Sequence, residues 1–251
     1  MGRILVPRKT ICGNTVIIKG SEAHRIANVL RKKAGDVIEL FDGSGRQYRA
    51  KIALINNGNS KSIEAIITEE KRVPVADTAI KISLYQCIPK GEKMDWVVQK
   101  CTELGIYDIT PVISDRTVVR PDPAGLAKKI RRWERIAVQA SEQSGRSTAP
   151  AINRAEGFGS LLERTGGLSG RVMLWESETG LHLGEYLKKQ KGNLMDIGLM
   201  IGPEGGFSRE EAERAEKSGF VRVTVGKRIL RTETAGLIAA AIIMYNAGEI
   251  G

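Results

Sequence analysis

Apolar and polar residues alternate over five short runs in the first 72 positions: 3–6, 15–19, 37–41, 48–55 and 62–69. That period of two belongs to half-buried strands. Asp42-Gly43-Ser44-Gly45 and Asn56-Asn57-Gly58-Asn59 supply turns between them. One helical stretch interrupts, with Ser21 as N-cap, residues 22–33 as its body and an end near Gly35. So many short strands in so few residues predict a small β-barrel. Lys71-Arg72-Val73-Pro74 reads as a linker, and the period then changes. Strands at 79–86, 109–113, 172–175, 199–201 and 220–225 alternate with helices at 92–104, 123–144, 182–189, 208 to about 219, and 233–246. This order predicts an α/β domain with a mostly parallel sheet covered on both faces. The expected division is therefore 1–72 and 73–251. The last helix is apolar on nearly all sides, which predicts burial.

Two strand ends in the second part run into unusual turns. The first is Gly202-Pro203-Glu204-Gly205-Gly206-Phe207, followed by Ser208 and Glu211 at capping-box spacing. The second is the charged, hydroxyl-rich stretch 226–235, which leads into the last helix. Helix starts offer free N–H groups and a positive dipole end to a ligand. Three glycines in five residues permit close backbone approach. Two ordinary βα loops would also fit this pattern. Neither a P-loop nor the Gly-x-Gly-x-x-Gly dinucleotide spacing is present. Asp42-Gly43-Ser44-Gly45 is followed by strand-like residues, which makes it a hairpin turn rather than a cofactor loop.

Charge sharpens the division. The 251 residues carry a net +10. Residues 1–72 hold 14 Lys/Arg against 7 Asp/Glu, and the remainder holds 25 against 22. A basic module joined to a nearly neutral one suggests a polyanion binder attached to a working domain. His24, Arg25, Arg31, Lys32 and Lys33 lie on or just past the first helix, with His24 and Arg31 seven apart and so near one face. A solvated basic helix would look the same. Three cysteines without close pairing and only two histidines argue against a disulfide scaffold and a zinc site. No apolar run approaches the ~18 residues of a membrane span, and the first ten residues lack a signal-peptide core. A cytoplasmic, metal-free protein is expected.

GPEGGFS (202–208), VGKRILRTETA (225–235), KMDWVVQKCTELG (93–105) and RWERIAVQASEQSGR (132–146) together resemble the SPOUT methyltransferases. Within them the chain is similar to RsmE, the family that methylates uridine N3 in 16S (small-subunit) ribosomal RNA, over essentially its whole length. The resemblance implies a PUA-like RNA-binding barrel, a SPOUT domain with a C-terminal trefoil knot, S-adenosylmethionine (SAM) as cofactor, and a homodimer acting on 16S rRNA within the small subunit. Periodicity carries no sign of a knot. A non-catalytic RNA-binding assembly factor on the same fold is the alternative.

The implied cofactor site comprises Leu174, Trp175 and Glu176; Ile201, Gly202, Pro203, Glu204, Gly205 and Gly206; and Val225, Gly226, Ile229, Leu230, Arg231, Thr234 and Ala235. Glu176 would serve the ribose or the methionine end. The implied RNA contacts are Arg3, His24, Arg25, Arg31, Lys32 and Lys33. Uracil N3 is a poor nucleophile until its proton leaves, so the chemistry wants a base and a positive group for the ring oxygens. Arg231 suits the second role because its guanidinium stays charged and can fork onto planar acceptors. Glu233, Glu204 and Glu142 are open candidates for the base. Each also has a structural role to hand, such as helix-dipole support for Glu233 or pairing with Arg146 for Glu142.

Overall fold

The computed structural model describes residues 4–56, 61–72, 79–120, 122–178, 180–190 and 194–251. Arg3, the turn residues 57–59 and Val73-Pro74 of the expected linker lie outside them, whereas Lys71 and Arg72 are not linker but the end of a strand, Ser62–Arg72. The chain divides into two units, Met1–Asp77 with Ser141–Ala149, and Thr78–Ala140 with Pro150–Gly251. The grouping of Ser141–Ala149 with the first unit was not anticipated. The pattern of one helix over 123–144 gave no reason to divide it.

The first unit is a six-stranded mixed sheet: β1 (Ile4–Leu5), β2 (Ile11–Cys12), β3 (Thr15–Lys19), β4 (Val37–Phe41), β5 (Arg46–Asn56) and β6 (Ser62–Arg72). Its pairing path is β1-β4-β5-β6-β3-β2, with β1 parallel to β4 and the other pairs antiparallel. Val16, Ile18, Ile38, Leu40, Ile52 and Ile63 share one core, as the alternation requires. The hairpin turn is closed by Asp42 Oδ1, which accepts from the amide and hydroxyl of Ser44 at 2.9 and 2.7 Å.

The helix expected over 22–33 is shorter and differently capped. It consists of α1 (Gly20–His24) and a π turn, Arg25–Val29, with Lys19 at the N-cap and Ser21 inside. Ile26 is its last buried apolar residue; Val29 and Leu30 are exposed, so nothing anchors a further turn to the sheet. Arg31 then takes a left-handed φ of 50°. The shared helical face of His24 and Arg31 is therefore not formed. His24, Arg31 and Lys33 are exposed. Lys32 reaches the Val37 carbonyl at 3.4 Å, and Arg25 is held by Glu22 (3.0 Å) and Glu142 (2.7 Å).

The second unit is wholly parallel. Its strands are β7 (Lys81–Cys87), β8 (Asp108–Ile113), β9 (Ala151–Ile152), β10 (Glu156–Gly157), β11 (Gly170–Leu174), β12 (Asp196–Ile201) and β13 (Val221–Val223). The order is β10-β8-β7-β12-β11-β13, with β9 also on β8. Helices α2 (Lys93–Leu104), α3 (Pro123–Ser144), α4 (Phe158–Arg164), α5 (Leu183–Lys189), α6 (Arg209–Lys217) and α7 (Thr232–Asn246) connect them. Alternate strand residues face two cores. Leu84, Val172 and Leu199 pack with α2, α3, α5 and α7, while Tyr85, Met173 and Met200 pack with α4 and α6. Ser208 and Glu211 form the expected capping box on α6. Among the described residues, no helix is long and apolar enough to cross a membrane, and no cluster of potential metal ligands occurs.

Candidate active site

Strands β12, β11 and β13 are neighbours, so their carboxyl ends deliver three loops to one edge of the sheet. Open α/β sheets take ligands at that edge. A cavity of about 660 Å³ lies among the loops.

Ile201, Gly202, Pro203, Glu204 and Gly206 form one wall. The Gly206 amide donates to the Pro203 carbonyl at 2.9 Å, a tight turn that leaves Gly206 at φ +66°. A Cβ there would stand 2.6 Å from Glu176 Oε1, and one on Gly202 would stand 3.1 Å from the Phe207 ring. Gly205 departs from expectation, because it does not line the cavity. Its carbonyl accepts from Arg116 Nη1 at 2.8 Å instead. The loop turns at Gly206, which leaves Gly202 and Gly206 as the glycines that give it close approach.

Leu174, Trp175 and Glu176 form the second wall. The Arg222 guanidinium lies 4.9 Å above the Trp175 ring, and the Trp175 amide donates to Val223 O at 3.2 Å. The Glu176 carboxylate makes no hydrogen bond or ion pair among the described residues. The third wall holds Val225, Gly226, Ile229, Leu230, Arg231 and Ala235. Thr234 does not reach the cavity, since it sits in the first turn of α7 with its amide on Arg231 O at 2.8 Å. Arg231 is the N-cap residue of α7, extended (φ −65°, ψ 148°) and exposed.

The three carboxylates considered as bases are placed differently. Glu204 lines the cavity, but its Oε1 accepts from the Lys90 amide (3.0 Å) and Lys93 Nζ (2.9 Å). Partial burial pushes its pKa up, yet these donors outweigh burial and hold it below the ordinary 4.5. Glu233 does not line the cavity; its Oε2 is buried without a hydrogen bond and lies 3.5 Å from Lys93 Nζ. Glu142 belongs to the first unit, where Oε1 accepts from the Leu5 amide (2.9 Å) and Oε2 from Arg25 (2.7 Å). Burial raises its pKa, but it is not part of the cavity wall. Lys93, Phe207, Thr232, Lys227 and Arg228 also line the cavity and were not anticipated. Lys93 falls in a motif already singled out, but its partner Glu204 is 111 residues away.

A carboxylate whose pKa is depressed by folding adds stability above its unfolded pKa and loses it as pH falls through the folded value. Glu204→Gln should therefore lower the unfolding free energy at neutral pH, by under about 1 kcal/mol for so exposed a pair. The two proteins should converge as pH drops below the ordinary 4.5. Urea titrations across that range check this; a difference independent of pH would contradict it.

Residues 76–244 match the family model described as an RNA methyltransferase domain, and 18–67 match an RNA methyltransferase PUA domain. The ribosomal RNA small subunit methyltransferase E of Bacillus subtilis is 33% identical over 236 residues, covering 92% of this chain and 90% of that protein. A Neisseria gonorrhoeae enzyme of the same name, solved bound to S-adenosyl methionine, superposes with a TM-score of 0.85 at 34% identity over 98% and 97% of the two chains. A Legionella pneumophila methyltransferase solved with bound SAM gives 0.87 at 30% identity over 97% and 96%. This chain belongs to the ribosomal RNA small subunit methyltransferase E (RsmE) family.

Proposed function

We propose that this chain transfers the methyl group of SAM to N3 of a decoding-site uridine in 16S rRNA. The observation that carries the proposal is the cavity itself. Its size suits a nucleoside-bearing cofactor. Leu174, Ile201, Val225 and Leu230 give it apolar walls for a flat base. Gly202 and Gly206 let the backbone come close, and the Glu176 carboxylate, without a partner among the described residues, suits ribose hydroxyls or an ammonium group. Bound there, SAM supplies an electrophilic methyl on a sulfonium.

The remaining chemistry belongs to the chain. The Arg231 guanidinium stabilises negative charge on the uracil oxygens as N3 ionises. Lys93, kept protonated by Glu204 and Glu233, adds another cation to the cavity wall. Glu204 positions Lys93 rather than taking the proton, because its acceptor atom is occupied and its pKa is held low. N3 ionisation is driven by these cations, with water receiving the proton. The same proposal includes a homodimer, a C-terminal trefoil knot and a cytoplasmic setting. Ile238 and Tyr245, exposed and seven residues apart on α7, offer the apolar surface a dimer would cover.

Calorimetry should give saturable SAM binding and none of ATP. The reverse preference would mean a phosphate-binding site. The 1–72 module would capture RNA through its basic surface. Reversing the exposed Arg31 and Lys33 to Glu should weaken rRNA binding, lower the slope of log K against log salt by about 0.7–0.9 per lost phosphate contact, and leave SAM affinity unchanged. Loss of both bindings together would assign these residues a structural role.

A further inference from the structure

Two cofactor loops are joined by a hydrogen-bond chain that none of the sequence motifs suggested. Gln86, near the end of β7, is fully buried. Its Nε2 donates to the Cys87 carbonyl at 3.1 Å and to Thr232 Oγ1 at 2.9 Å. Thr232 Oγ1 in turn donates to the Gly202 carbonyl at 2.5 Å. Chemistry fixes the direction of every bond. The two carbonyls can only accept, and the side-chain amide has two hydrogens, both used. The hydroxyl has one hydrogen; it goes to Gly202 O, so the amide must supply the bond from Gln86.

The geometry points to Gln86 as a positioning residue of the cofactor site: acting through the Thr232 hydroxyl, it holds the 225–231 loop in register with the Gly202 turn. Gln86 itself does not line the cavity, whereas both Thr232 and Gly202 do. Gly236, one turn into α7, makes room for this. A Cβ there would meet Gln86 Oε1, Ile201 and Leu84 at 3.4 Å. Gln86→Glu is the discriminating change, being nearly isosteric but lacking the amide donor. At so buried a position the new carboxyl stays protonated, and its single O–H cannot serve both the Cys87 carbonyl and Thr232 Oγ1 as the two amide hydrogens do.

This inference rests on the SAM reading of the cavity, so the test has two readouts. SAM affinity is measured by calorimetry, and the protection of peptides covering 202–207 and 225–235 by hydrogen exchange on the cofactor-free protein. Gln86→Glu and Thr232→Val should each weaken SAM at least ~10-fold and speed exchange in both peptides. Thr232→Ser, which keeps the hydroxyl, should stay within about threefold of wild type in affinity. The Gln86→Glu/Thr232→Val double variant should be little worse than Thr232→Val alone, since both break one chain. Additive losses, or a folded Gln86→Glu protein with wild-type exchange, would overturn the relay. Absence of SAM binding by the wild type would instead overturn the cofactor assignment, and the exchange data would decide the relay by themselves.

Discussion

Gly206→Val should reduce SAM affinity by ~100-fold, about 2.7 kcal/mol, in a protein that still folds. Two costs coincide at this residue. Its φ of +66° lies where a β-branched side chain is strained. Its Cβ would also fall 2.6 Å from Glu176 Oε1, so the carboxylate proposed to serve the cofactor must move away. Gly205 provides the control next door. It lies outside the positive-φ region, and a Cβ there meets Arg116 at an ordinary 3.4 Å. Gly205→Ala should change SAM affinity by no more than about twofold. Calorimetry on both variants, with circular dichroism to establish folding, checks the pair. Equal affinities for wild type and a folded Gly206→Val protein would remove this turn from the cofactor site.

Arg231→Lys should lower the single-turnover methylation rate by ~10²-fold or more, the scale of losing one preorganised donor to a developing anion. SAM affinity should hardly change, because the neighbouring loop meets the cofactor through its backbone and apolar side chains. Arg231 is exposed at the N-cap of α7. Its value is realised mainly in the transition state, where a fork of donors meets spreading charge and a lysine offers only a point charge. With that help gone, the rate should rise more steeply with pH, since uracil must ionise unaided. A normal rate would make Arg231 structural. Loss of SAM binding would move it to the cofactor side.

What could be read in the sequence follows from how local the cause is. Thr15–Lys19 and Val37–Phe41 were bounded to the residue because alternation is a property of neighbours. The α6 start was legible because a capping box is written within four residues. The strands Ala151–Ile152 and Glu156–Gly157 are two residues long and carry no period, and together with α4 they went unread. The first helix is shorter than its pattern suggests, because basic residues extend it in composition while no buried apolar residue after Ile26 anchors it. At the site, two of the three loops are identifiable from glycine and charge, and the third, 174–176, only from the family resemblance. Whether Gly205 or Gly206 turns the chain depends on a backbone angle that composition does not encode. Lys93 and Gln86 meet their partners across 111 and 146 residues, a distance only the fold closes.

The most direct measurement is to incubate the protein with labelled SAM and small ribosomal subunits that lack the modification, then map the label to its nucleotide and atom. Methyl transfer to uridine N3 predicts one labelled nucleotide, a uridine near the 3′ end of the 16S rRNA, carrying the methyl on N3. Label on another atom or another base would contradict the assigned chemistry, and SAM binding without any transfer would leave an RNA-binding assembly factor.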